Sequence, residues 1–159
     1  MKKTIIALAL AGFAGSVSAD ALLYGGAMVG QSEYDGEKST AASFHVGTGL
    51  LPILGIEAGY ADHGEFDIDG LTSDVKADSV FAAIRPSLDL GPLHLYGRAG
   101  VHKWDMSGGK KDDGVDMMYG FGAEYFIFGP VSLGAGYNVY KTDDKDISNF
   151  SLTATFHFF

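Results

Sequence analysis

From Ala21 to the C-terminal phenylalanines, apolar residues recur at every second position, segment after segment. A two-residue period puts alternate side chains on opposite faces, so these segments are strands with two unlike faces. In the last one Phe150, Leu152, Ala154, Phe156 and Phe158 share one parity, against Ser151, Thr153, Thr155 and His157. Before it, Val131, Leu133, Ala135, Tyr137 and Val139 alternate with Ser132, Gly134, Gly136 and Asn138. The same pattern runs through Met117–Ile127, Leu93–Val101, Val80–Ile84, Ile56–Tyr60 and Phe44–Leu50. Phe81 alone breaks parity in its segment, and the first segment, 22–31, is apolar on both faces.

Eight strands leave seven connections, and these alternate in character. The stretches 31–40, 62–76, 103–114 and 141–148 are long and acidic, whereas 51–54, 89–92 and 128–130 are short and carry proline or glycine. Such turn-formers close tight hairpins. Long and short in strict alternation predicts an all-β, eight-stranded, antiparallel up-and-down transmembrane β-barrel, with loops on one side and turns on the other. An even strand number puts both termini on the turn side, the periplasmic side of such a barrel.

Period two does not say which face meets a core and which meets lipid. Composition decides it. The face opposite the apolar one is mostly glycine, serine and threonine, whereas a water-exposed surface carries many charges. Lys38, Lys76, Lys103, Lys110, Lys111, Lys141 and Lys145 all fall in connections or at strand ends. Small side chains suit the narrow interior of an eight-stranded barrel. Aromatic residues gather at strand ends: Phe44, Tyr60, Tyr119 and Phe150 toward the loops, Tyr125, Phe128, Phe156 and Phe158 toward the turns. That is the pattern of two interfacial girdles. A lipocalin-like soluble barrel is the competing fold, and it would place the apolar face inside. Pro86 lacks the donor a ladder position needs, so a bulge or frayed pairing is expected there.

Four charged residues sit well inside strands: Glu57, Arg85, Arg98 and Glu124, all on the small, inward face. Folding each hairpin about the middle of its loop sets Glu57 near Arg85 and Arg98 near Glu124. Opposite charges on adjacent strands stabilise a sheet. Their bland role is neutralising a buried lumen; their functional role would be a gate.

The first residues read as an export signal. Lys2 and Lys3 are followed by the apolar stretch Ile5 to Phe13 and by Ser16-Val17-Ser18-Ala19, a small-residue cleavage site. Cleavage between Ala19 and Asp20 divides the chain into a signal peptide, 1–19, and a barrel domain, 20–159. No later stretch is long and apolar enough for a membrane helix. With no cysteine, disulfides and a cysteine-linked lipid are excluded. A net charge of −9, more acidic still without Lys2 and Lys3, argues against nucleic acid as a partner.

Two stretches carry a resemblance. Gly55-Ile56-Glu57-Ala58-Gly59-Tyr60-Ala61-Asp62-His63-Gly64 is similar to the third strand and following loop of OmpA-like membrane domains and the related OmpX-like small outer-membrane barrels. The terminal Phe150-Ser151-Leu152-Thr153-Ala154-Thr155-Phe156-His157-Phe158-Phe159 resembles their last strand. The resemblance implies an outer-membrane location in a Gram-negative bacterium and an acid–arginine lumen matching Glu57, Arg85, Arg98 and Glu124. It implies that Phe156, with Phe158 or Phe159, is read by the barrel-assembly machinery. The doubled terminal phenylalanine departs from the family's single one. The chain also stops at the barrel, where OmpA proper continues into a peptidoglycan-binding domain, so anchoring by that route is not expected.

Three functions follow as expectations. The first is a non-enzymatic structural or surface protein, a monomer in outer-membrane lipid. Its acidic loops (Glu33, Asp35, Glu37; Asp62, Glu65, Asp67, Asp69, Asp74; Asp105, Asp112, Asp113, Asp116; Asp143, Asp144, Asp146) would meet an extracellular ligand, or merely keep the surface solvated. The second is a narrow ion pore gated by the acid–arginine pairs, with inward glycines leaving room for water. The third is a lipid-modifying enzyme, for which Ser43 and His45 are the one serine–histidine pair sharing an inward face. No cofactor or metal is expected: Asp67-Ile68-Asp69-Gly70 starts like a calcium loop but lacks the remaining ligands.

Overall fold

The computed structural model describes residues 23–158 apart from Pro52, Leu71, Lys110 and Asp144. The expected signal peptide, its Ala19–Asp20 junction and Phe159 lie outside the described residues. Eight strands follow in chain order: β1 (Leu23–Tyr34), β2 (Glu37–Leu51), β3 (Leu54–Phe66), β4 (Val75–Leu90), β5 (Leu93–Gly108), β6 (Asp112–Phe128), β7 (Val131–Tyr140) and β8 (Ile147–Phe158). Each pairs antiparallel with its neighbours, and β8 returns to β1 from Leu23↔Phe158 to Glu33↔Ser148, closing the barrel. Closure leaves no open edge along the wall, which is what a bilayer demands of a sheet.

The outward face is the apolar one. Val46, Ile56, Val80, Ile84, Val101, Met117, Phe121, Leu133 and Leu152 are all exposed, and so are Phe44, Tyr119, Phe150, Tyr125 and Phe128 near the two ends of the belt. Serines, threonines, histidines and the four inner charges are buried inside. The lipocalin-like alternative requires the reverse. In β1 the ambiguity resolves by size: Tyr24, Met28 and Tyr34 turn inward, while Leu23 and Val29 face out. Phe81 does point inward, as its parity requires.

One expectation about the connections needs correction. Much of what reads as loop is strand. The 31–40 stretch is a continuous hairpin whose turn is only Asp35-Gly36, both at positive φ (54° and 85°). Asp-Gly supplies that turn cheaply. Likewise β5 and β6 run on to Met106↔Asp112. Several residues expected in acidic loops, among them Glu33, Glu37, Asp62, Glu65, Asp105, Asp112, Asp113 and Asp116, therefore stand on strand extensions.

In these extensions the alternation continues with its chemistry inverted. On β5, Lys103 and Asp105 face out while Trp104 and Met106 are buried; on β4, Lys76 and Asp78 alternate with buried Val75 and Ala77. Beyond the apolar belt the outside is water instead of lipid, so the apolar residues belong within. Tyr34, Phe66, Val75, Trp104, Met106, Met118, Tyr140 and Ile147 form one core filling the loop end of the barrel. At Pro86 the pairing is interrupted without a bulge, as the frayed alternative expects: β4–β5 pairing runs to Ile84↔Ala99 and resumes in the same register at Ser87↔Tyr96, past a gap of two positions.

Candidate functional site

The lumen collects the four inner charges in one place, where the expected Glu57–Arg85 pair forms and the expected Arg98–Glu124 pair does not. Register sets Glu57 opposite Ala83 and Glu124 opposite His94. The two shortest ion pairs are between other partners: Arg98 Nε lies 2.6 Å from Glu57 Oε1, and Arg85 Nη2 lies 3.1 Å from Glu124 Oε1. Arg85 also reaches Glu57, with Nη1 3.6 Å from Oε2. The β4–β5 register on both sides of its gap, Ile84↔Ala99 and Ser87↔Tyr96, sets Arg85 opposite Arg98. Like charges opposite one another destabilise a sheet. A carboxylate from β3 and one from β6 offset that, so the four charges form one network.

The rest of the lumen braces this network. Arg85 lies over the rings of Tyr96 and Tyr24, 4.0 and 4.7 Å from their centroids. Tyr24 donates its hydroxyl to Glu57 Oε2 at 3.3 Å. Glu124 accepts from Ser132 Oγ at 2.9 Å and from Thr155 Oγ1 at 3.0 Å. Since Ser132 spends its proton on the carboxylate, its oxygen accepts from His157 Nε2, 3.0 Å away. At the turn end His94 Nδ1 meets Asp89 Oδ1 at 2.5 Å. Charged hydrogen bonds with few free lone pairs are what makes buried charges tolerable.

Several inward glycines, expected to leave room for water, are instead occupied by neighbouring side chains. A Cβ on Gly47 would fall 2.3 Å from the Tyr24 ring, on Gly59 2.5 Å from Phe81, and on Gly122 2.4 Å from the Tyr96 hydroxyl. These three glycines are the recesses into which large rings fold from the neighbouring strand. Gly114 accepts Trp104 in the same way. The signal is legible in the sequence at these four positions: Gly47, Gly59, Gly114 and Gly122 are register partners of Tyr24, Phe81, Trp104 and Tyr96 on the adjacent strand.

The expected serine–histidine pair is not assembled. His45 is buried with both ring nitrogens unpartnered, so it activates no hydroxyl. Among the described residues no three His, Asp or Glu side chains gather in a metal-holding group. Phe156 and Phe158 lie on the outer face of β8 with ring centroids 4.6 Å apart.

One outer feature escaped the sequence. Asp62↔Asp78↔Asp105↔Asp113 are successive register partners across β3 to β6, forming a row just beyond the apolar belt. Burial, then the Asp105 and Asp62 charges, hold the Asp78 carboxyl above its ordinary range, with Lys76 opposing. A raised folded-state value means the group favours folding when protonated, and this contribution is lost as pH rises through the carboxylate range. Asp78→Asn is therefore expected to stabilise the barrel at pH 7 by about 0.2–1 kcal/mol and to flatten that part of its pH profile. Urea titrations at pH 4 and 7 check this; a variant destabilised at pH 7 contradicts it.

Comparisons with known proteins agree with this architecture. The comparison with curated proteins finds no match. Among solved structures, Neisserial surface protein A is 17% identical with a TM-score of 0.64, over 86% of this chain and 96% of that one. The attachment invasion locus protein Ail of Yersinia pestis, in complex with the heparin analogue sucrose octasulfate, is 19% identical with a TM-score of 0.57, over 86% and 96%. OprG of Pseudomonas aeruginosa is 12% identical with a TM-score of 0.62, over 87% and 97%. At such identities the likeness is one of fold. The family model described as the outer membrane protein beta-barrel domain matches residues 5–158, so this chain belongs to that family and is a protein of the Gram-negative outer membrane.

Proposed function

We propose that this chain is a non-enzymatic surface protein of the outer membrane, with its loop end outside and both termini at the periplasmic turn end. One observation carries the reading. The loop end is filled by an apolar core and presents acidic residues outward, including the four-aspartate row. That core occupies the loop end of the lumen, and what remains to act is an acidic outer surface. The machinery that inserts barrels would read Phe156 and Phe158, with Phe159, on the last strand, after removal of residues 1–19.

The surface chemistry selects a cationic partner. Ail is seen with a polysulfated heparin analogue; an acidic rim repels such a ligand. Vesicles carrying the folded barrel are expected to bind a polycation, with binding lost as salt shortens the screening length. They should ignore sucrose octasulfate. Equal binding of the sulfated ligand would overturn the proposal.

A second reading, a gated ion pore, is favoured by the shared position of Arg85 between Glu57 and Glu124. An arginine with two partners can exchange between them. Single-channel recording decides: current that changes in Glu57→Gln or Glu124→Gln would favour the pore, and silence favours the surface role.

A further inference from the structure

We propose that the loop-end tip of β7 is a gate for the lumen, with Tyr140 as its stopper and His102 as the latch that seats it. The proposal rests on barrel closure and not on whether the lumen carries ions.

β7 is the shortest strand, and its register with β6 ends at Met118↔Tyr140 although β6 extends on to Asp112. The tip is thus short of the wall beside it. Its last side chain, Tyr140, is buried in the loop-end core, against His63 (ring centroids 4.6 Å apart), His102 (5.2 Å) and Phe81 (6.3 Å). In register it closes the row Glu57↔Ala83↔Gly100↔Met118↔Tyr140, which leads to the central charges.

A directed hydrogen-bond chain holds this tip from within. His102 Nε2 lies 2.7 Å from the Lys141 carbonyl oxygen. A carbonyl only accepts, so Nε2 carries the hydrogen and neutral His102 keeps a bare Nδ1. Ser79 donates to that Nδ1 at 3.1 Å, and its oxygen then accepts from His63 Nε2 at 2.9 Å. Side chains from β3, β4 and β5 are therefore polarised toward one backbone carbonyl just past β7. The Lys141 amide adds a bond to the Met117 carbonyl at 2.9 Å.

A plug built only to fill space would be apolar throughout, as Phe66, Met106 and Met118 are. Here three polar side chains are buried among them, and His63 Nδ1 has no partner. Unsatisfied buried polar atoms carry a free-energy cost. What the arrangement gains is a definite seat for the tip, released when one bond opens.

The chain has no cysteine, so a single reporter thiol is unambiguous. Ser151 is buried on the inner face of β8 and pairs with Gly136, four residues below Tyr140 on β7. Ser151→Cys in the folded, vesicle-embedded barrel is treated with a charged, membrane-impermeant thiol reagent. Labelling should be slow in this background and about tenfold faster with His102→Leu, the ratio expected from losing one hydrogen bond. Tyr140→Ala should accelerate it as well, while His102→Gln, which keeps a donor, should leave it slow. Should His102→Leu fail to fold, Ser79→Ala removes the link behind the latch and should give the same acceleration. Unchanged labelling in the folded His102→Leu or Ser79→Ala barrel, or in Tyr140→Ala, overturns the gate.

Discussion

Arg85→Met is expected to lower the stability of the folded barrel by about 3–5 kcal/mol, the largest single effect of any inner charge. Methionine keeps much of the volume but strands the buried Glu124 carboxylate and leaves Glu57 with Arg98 alone. Glu124 loses its 3.1 Å partner and Glu57 its second one. Because the two arginines stand side by side, the converse change is also informative. Glu57→Gln leaves Arg85 with Glu124 but takes from Arg98 its 2.6 Å counter-charge. Adding Glu124→Gln to Arg85→Met should recover part of the loss, since the second change removes one stranded charge. Urea unfolding in vesicles, followed by the folded fraction on an unboiled gel, measures all of these. A loss below about 1 kcal/mol for Arg85→Met would mean that water already reaches these carboxylates and solvates them.

Gly100→Ala comes second. Its Cβ would lie 2.0 Å from the Ala82 carbonyl oxygen and 2.5 Å from the Ala83 Cα, both backbone atoms of the paired strand. Backbone cannot step aside as a side-chain tip can, so β4 and β5 must part. Overpacking of this kind costs about 1–3 kcal/mol, and here it falls on a long stretch of pairing. Gly25→Ala is the control: its Cβ meets nothing nearer than 3.6 Å. The same unfolding titration compares the two, and equal stability of both variants would contradict the close strand approach.

How far the sequence could be read depended on what surrounded each strand. Within the belt, lipid lies outside one face and a crowded lumen inside the other, so residues such as Val80, Ala82 and Ile84 declare their face by polarity alone. Eight strands, closure and the inward set of Glu57, Arg85, Arg98 and Glu124 were all legible there. Past the belt the rule reverses, because water replaces lipid. Trp104 and Met106 turn in where Val101 turned out, and a fixed sign for the pattern makes that extension look like loop. Charge pairing was legible for Glu57 with Arg85 and not for Glu124, whose partner was expected to be Arg98. Folding each hairpin about its loop assumes symmetric strands and looks only at adjacent ones. Arg85 on β4 instead reaches Glu124 on β6, across a lumen narrow enough to make non-neighbours touch. The aspartate row needed true registers, since Asp62, Asp78, Asp105 and Asp113 have nothing in common along the chain except their final alignment.

The gate and the surface role agree on one physical picture, a barrel with a polar, charge-braced middle and an apolar seal at its loop end. The seal is what separates this picture from an open porin-like channel. The most direct test records current through the refolded barrel in a lipid bilayer, after an unboiled gel has shown the heat-dependent mobility shift of a closed barrel. A folded, shifted barrel that carries no steady current is the expected result. Steady conductance through the unaltered chain would contradict the seal; a chain that shows no mobility shift and remains a water-soluble monomer would contradict the membrane barrel itself.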